Sequence, residues 1–203
     1  MKYPFFASFI VLCLLLMYEI HKRRNLEAKV YQDFLDEEAK ANSTRRKNLD
    51  NLDYISIPNS ILEINVLNDN EQIIEYKNLL KDLSLKKIVN FTGLTNTELK
   101  LKYGAPNIDL LISYDQTYTV LVRCLNDYGL ALYNNNFLDE AKEILEFAVS
   151  TITDVSATYD TLAQIYKKNG QIEKIRELIP VATKINSLNN QKIINNLKTY
   201  LEE

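Results

Sequence analysis

The sequence predicts an all-α protein: an apolar N-terminal helix that spans a membrane, an α-helical domain with two helix–turn–helix hairpins, and an amphipathic helix that caps its C-terminal end. Three observations predict it. Residues 122–187 divide into two pieces that align at a spacing of 34 residues. The chain opens on a long apolar run. Four glycines and four prolines in 203 residues, with 25% of residues charged, favour long helices over many tight turns. The expected organisation is an anchor (1–21), a juxtamembrane helix and linker (22–53), an irregular helical region (54–113), the two hairpins (114–187) and the capping helix (188–203).

Residues 3–18 read YPFFASFIVLCLLLMY, flanked by Lys2 and by Glu19 to Arg24. Nine of them are Leu, Ile, Phe or Val between Phe5 and Leu16, contributing roughly −3 to −5 kcal/mol toward insertion at about −0.3 to −0.6 kcal/mol each. No small-x-small cleavage pair follows the run, so a retained anchor is preferred to a signal peptide. Lys22, Arg23 and Arg24 outweigh Lys2, which places the soluble domain in the cytoplasm of a single-pass cell-membrane protein.

Beyond the anchor, Leu26, Val30, Tyr31, Phe34, Leu35 and Ala39 recur at helical spacing. They read as a stalk, as a stripe folded back on the domain, or as the seam of a homodimer through residues 26–39. Arg45, Arg46 and Lys47 read as a solvated turn. Residues 54–58 alternate and end on Pro58, which fits an extended strap or lone edge strand. Residues 71–83 carry Ile73, Tyr76, Leu80 and Leu83 on one face, with Asp69 or Asn70 as cap. Thr95 and Glu98 have capping-box spacing for a short helix stopped at Gly104. Pro106 blocks its continuation and Asn107 can cap a helix from Ile108 that leads into the first hairpin.

In the aligned pieces Gly129 corresponds to Ala163 and Ala148 to Ala182. Leu125, Tyr128, Leu132, Ala141 and Leu145 correspond to Tyr159, Leu162, Tyr166, Ile175 and Ile179. Asn134 to Asn136 close the first helix, and Asn169 with Gly170 the second. Pro180 falls inside the last helix of the pair, where it shortens or kinks it. Finally, Ile193, Ile194, Leu197 and Leu201 form one face of the capping helix.

A 34-residue period with small residues at fixed points resembles the tetratricopeptide (TPR) repeat. Gly129, Ala141 and Ala148 meet the family pattern in the first unit, and Ala163, Tyr166 and Ala182 in the second. Ile175 departs from it, as does the lack of a proline at either unit's end. Together with the anchor, the chain resembles bacterial membrane-anchored TPR proteins, and abundant Asn, Lys and Ile agree with an AT-rich bacterial coding sequence. The resemblance implies a scaffold or adaptor that binds a protein or extended peptide in the concave groove of its repeats. By register, the groove positions are Arg123, Asn126, Asp127, Leu130, Tyr133 and Asn134 in the first unit, with Asp160, Thr161, Gln164, Lys167 and Lys168 in the second. Asn126 and Leu130 do not match the family's carboxylate clamp, so that specificity is not implied.

Chemistry is harder to place. A net charge of −3 gives no general hold on nucleic-acid phosphate. The four glycines are isolated, so no phosphate loop exists. One histidine, His21, and two distant cysteines, Cys13 and Cys124, supply neither a zinc pattern nor a disulfide. Cys124 reads as core and Asp139 with Glu140 as helix-start carboxylates. No catalytic, cofactor or metal residue is assigned. Two alternatives stand beside the adaptor: an enzyme or enzyme subunit with its site in residues 54–113, and a self-associating structural membrane protein.

Overall fold

The computed structural model describes residues 4–202, without the side chains of residues 4–7. Within them the protein is all-α. Its helices are α1 (Pro4–Asn42), α2 (Asn59–Leu62), α3 (Glu71–Ser84), α4 (Asn96–Tyr103), α5 (Ile108–Asn134), α6 (Leu138–Ser150), α7 (Ser156–Lys168), α8 (Ile172–Ala182) and α9 (Asn190–Glu202), with a 3-10 turn at Ala105–Asn107. The expected strap at residues 54–58 makes one isolated antiparallel bridge, Tyr54 with Val89. The helices fall into two compact units, α1 with α4 and the 3-10 turn, and α2 and α3 with α5 to α9. The region expected to be one irregular segment, residues 54–113, is divided between them.

In the first unit α1 runs 39 residues without a break, through the expected boundary between anchor and linker. Its apolar side chains are exposed at Phe9 to Met17 and again at Leu26, Val30, Tyr31, Phe34 and Leu35. Among the described residues no helix is long and apolar enough to cross a membrane. The expected span, residues 1–21, lies partly outside those residues, so the described ones do not carry it.

The last turns of α1 pack on α4. Ala41 is fully buried there, and Glu38 takes a hydrogen bond from the Thr97 hydroxyl and an ion pair from Lys100 at 3.2 Å. Those two donors hold the Glu38 carboxyl below the usual carboxylate range, Thr97 most strongly. The expected capping box forms: the Thr95 side chain accepts from the Glu98 amide, and the Glu98 carboxylate accepts from the Thr95 amide. Gly104 ends α4 with φ +95°, and a Cβ there would lie 2.3 Å from the Arg45 carbonyl oxygen.

The basic cluster at residues 45–47 is exposed, as expected of a solvated segment, but two of its side chains are tethered. Lys47 donates from its ammonium to the carbonyls of Leu101 and Lys102, both at 3.0 Å, where the end of a helix leaves carbonyls unpaired and favours positive charge. Arg46 Nε donates to Asn107 Oδ1 at 2.9 Å. The Asn107 amide then donates to the carbonyls of Lys47 and Tyr103, both at 2.8 Å. Asn107 is thus occupied as a staple within this unit, which corrects its expected role as a cap for α5.

In the second unit α3 starts at its expected cap, with Asn70 Oδ1 accepting from Ile73 N at 3.2 Å. The helix expected to lead into the first hairpin and the first helix of that hairpin are one element, the 27-residue α5. Its buried residues Leu111, Tyr114, Tyr118, Leu121, Val122, Leu125, Tyr128 and Leu132 keep the spacing of three and four that gives one apolar face. That face meets α3 and α6. α6 packs on α7, α7 on α8, and α9 on both α7 and α8; α5 and α7 also touch. One core runs through these helices and contains Tyr128, Leu145, Leu162, Ile175, Ile193 and Leu197.

The closing bonds of the two inter-helix turns recur at 34 residues. Phe137 N bonds Leu132 O and Asn136 N bonds Tyr133 O, as Gln171 N bonds Tyr166 O and Gly170 N bonds Lys167 O. This six-to-one and five-to-two pair, around a left-handed residue, is the Schellman closure. The left-handed residues are Asn136 at φ 63° and Gly170 at φ 69°. Pro180 lies in the last turn of α8, which has 11 residues against 13 in α6, a shortening that matches the missing N–H.

Residues 88–94 cross the opposite ends of both hairpins. Asn90 donates to Tyr118 Oη at 2.9 Å and to Thr151 O at 3.0 Å. Gly93, at φ +82°, lies against the α8–α9 connection so closely that a Cβ would come within 2.0 Å of Asn186 O.

Candidate functional site

On α7, residues 160, 164 and 168 follow one another at a spacing of four, which makes a single row inclined to the helix axis. The three side chains reach different neighbours because the row is inclined. At one end Asp160 faces α9, where the Asn196 amide donates to both of its carboxylate oxygens at 3.1 and 3.2 Å. In the middle Gln164 spans the groove. Its Oε1 accepts from the Tyr133 hydroxyl of α5 at 3.0 Å, and its Nε2 donates to Tyr200 Oη of α9 at 3.2 Å. At the other end the Lys168 ammonium sits 4.3 Å above the Tyr133 ring, an electrostatic attraction to the ring face.

Two open depressions adjoin along this row. Asp160, Gln164, Asn196, Thr199 and Tyr200 line one of about 470 Å³. Tyr133, Gln164, Lys167 and Lys168 line another of about 280 Å³. Gln164 is common to both. A polar band therefore runs across α5, α7 and α9, its central bar fixed by side-chain hydrogen bonds and its two ends charged.

The sequence-derived groove residues divide accordingly. Tyr133, Asp160, Gln164, Lys167 and Lys168 come together in the depressions. Asn126 joins α5 to α7 through Thr158, whose hydroxyl donates to Asn126 Oδ1 at 3.1 Å, and its own amide donates to Asp127 at 3.0 Å. Arg123, Asp127, Leu130 and Asn134 are exposed on α5 and line neither depression. Thr161 is corrected: it is buried at 7% exposure, turned into the core and not the groove.

The contribution of α9 falls outside the 34-residue register. Cross-helix bonds between α5 and α7 join residues 31 and 32 apart, whereas those between α7 and α9 join residues 36 apart. A shift of 34 from Asp160 and Gln164 lands on Ile194 and Lys198 instead. The available signal was Asn196 and Tyr200 themselves, a spacing of four running beside the buried Ile193 and Leu197.

Among the described residues no three His, Cys, Asp or Glu side chains gather where they could hold a metal. Burial pushes the Cys124 thiol up to about 12, which keeps it protonated and unreactive at neutral pH. On the far side of the stack Tyr166 donates to Glu146 at 2.6 Å. Burial, chiefly, and that carboxylate push its phenol up. A separate apolar depression of about 460 Å³ lies along α1 between Leu26 and Phe34. No protein-family model, curated protein or solved structure matches the chain.

Proposed function

We propose that this chain is a membrane-anchored adaptor of the TPR kind, and that it holds an extended peptide segment of a partner protein in the groove formed by α5, α7 and α9. The observation that carries the reading is the fixed polar bar Tyr133–Gln164–Tyr200 between two open depressions. Side chains already bonded to one another lose little freedom when a ligand settles on them, so the groove is preorganised. An extended segment offers backbone donors and acceptors to such a surface. The recurrence of the turn bonds at 34 residues supports the repeat reading. Exposed apolar residues around α1 from Phe9 to Met17 support the anchor, since such a surface calls for an apolar environment. The excess of Lys22, Arg23 and Arg24 over Lys2 supports a cytoplasmic groove.

Affinity capture with the full-length chain in detergent tests the groove. Proteins recovered by the native chain are expected to be lost with Tyr133→Ala, Gln164→Ala and Tyr200→Ala combined, provided the circular dichroism of the variant is unchanged. Recovery of the same proteins by both would sink the reading. For the anchor, Leu12→Arg is expected to move the chain from the membrane to the soluble fraction, because a central arginine costs about 2.5 to 3.5 kcal/mol. A C-terminal phosphatase fusion that is active outside the cell would reverse the assigned orientation.

A further inference from the structure

The two ends of the α7 row carry opposite charges, and neither end is neutralised by the opposite charge among the described residues. Asp160 is half-buried, and both of its hydrogen bonds come from the neutral Asn196 amide. No salt bridge of the described residues includes it. Lys168 rests on an aromatic face, which attracts the ammonium without cancelling its charge. Between them Gln164 has both ends of its amide engaged by Tyr133 and Tyr200, so the middle of the row discriminates little. Selectivity is therefore concentrated at the ends.

Resting on the groove reading above, we propose that the groove selects segments bearing a basic side chain and, three to four residues away, an acidic one. The basic group seats on Asp160 beside Asn196 and Tyr200, and the acidic group seats on Lys168 beside Tyr133. The spacing follows from geometry. Eight residues of helix at about 1.5 Å each separate the two charges by about 12 Å along α7, and an extended chain covers that distance in three to four residues at about 3.3 Å each. The charges also fix the placement of a given segment: lying the other way round, it sets like charges against each other at both ends.

The test is a random dodecapeptide library displayed on phage and selected on the full-length chain in detergent. The expected enrichment is Lys or Arg three or four residues from Asp or Glu. With Asp160→Asn and Lys168→Met combined, capture of those peptides is expected to fall about tenfold or more. With Asp160→Asn alone the enriched sequences are expected to lose the basic residue, and with Lys168→Met alone the acidic one. Enriched peptides that lack the spaced pair, or that keep both charges when either end is neutralised, overturn the inference. If such peptides still lose capture with Gln164→Ala, the groove reading survives that failure. If no sequence is enriched over the variant lacking the Tyr133, Gln164 and Tyr200 side chains, both fail.

Discussion

Gly129 on α5 and Ala163 on α7 hold corresponding places in the two hairpins, and the single methyl group between them tracks how closely each pair of helices packs. A Cβ at position 129 would lie 2.6 Å from Leu145 Cδ2 and 2.7 Å from its Cγ. Leu145 is fully buried, while its counterpart Ile179 is only partly so. Where the first hairpin has Ala141, the second has the larger Ile175, and both are fully buried. α5 also meets α6 more extensively than α7 meets α8. The turns, by contrast, coincide. Backbone hydrogen bonds set a turn, so it keeps the period; interior volume is set by which side chains meet, so it drifts between repeats.

The largest effect tests whether the two hairpins are one cooperative body. Burial pushes Tyr118 and Tyr128 of α5 up to about 12, and also pushes up Tyr159 and Tyr166 of α7. Cys124 on α5 is pushed from an ordinary 9.0 to about 12. The unfolded chain releases these protons near pH 9 to 10, where the folded chain still holds them. Stability is therefore full below about pH 9 and falls as the pH rises from there toward 12. Absorbance of tyrosinate and loss of helical circular dichroism are expected to change together for both hairpins, with the Cys124 thiol reacting in the same step. Two separated steps would show the hairpins to be independent.

Next in size is the contact that distinguishes the hairpins. Gly129→Ala improves intrinsic helix propensity by roughly 0.5 to 1 kcal/mol, yet it drives a methyl group into Leu145. Overpacking of this kind costs typically 1 to 3 kcal/mol, so a net destabilisation of up to about 2 kcal/mol is expected in chemical denaturation. In a Leu145→Ala background, itself costing about 2 to 5 kcal/mol, the same Gly129→Ala change is expected to become neutral or stabilising. If the two substitutions add without coupling, the close packing does not set the residue at 129.

How much of this was legible follows from the range of each signal. Asn70, Thr95 with Glu98, Gly104 and Gly170 are local devices, acting over three or four residues, and each sits where its spacing puts it. The staple of Arg46, Lys47 and Asn107 joins residues about sixty apart in sequence, and no periodicity announces it. Gly93 was visible only as an isolated glycine, because the Asn186 carbonyl that excludes a side chain there lies 93 residues away. α5 was divided in two because the repeat register begins near residue 122, whereas nothing in residues 108–134 stops a helix. Half of the groove was legible for the same reason: a fixed period reaches from α5 to α7, but the lateral offset of α9 is a matter of packing.

The turns supply a smaller test of the same comparison. Asn136 and Gly170 are equivalent left-handed positions, and nothing lies within 4 Å of a Cβ built at Gly170. Gly170→Ala then costs only the backbone conformation, about 1 to 2 kcal/mol. Asn136→Gly is expected to stabilise by a few tenths up to about 1 kcal/mol, since Asn already tolerates the region better than other side chains. Thermal denaturation of the two variants should move in opposite directions. Movement in the same direction would mean that the turns share bonds without sharing energetics.

The smallest effect is that of Tyr128→Phe, at one of two tyrosines that are equally buried and differently served. Tyr159 donates from its hydroxyl to Thr153 O at 3.0 Å, so Tyr159→Phe removes a bond and strands a buried carbonyl, a loss of about 1 to 3 kcal/mol. Tyr128 packs its ring 5.8 Å from that of Tyr76, but its hydroxyl has no hydrogen-bond partner among the described residues. Burying an unpaired hydroxyl is unfavourable by a similar 1 to 3 kcal/mol, and Tyr128→Phe keeps the ring while deleting that group. The variant is expected to be neutral or more stable by up to about 1 kcal/mol, the gain being reduced by the small void left behind. A loss greater than about 1 kcal/mol would show that the hydroxyl is paired in solution and that the two hairpins bury their tyrosines on equal terms.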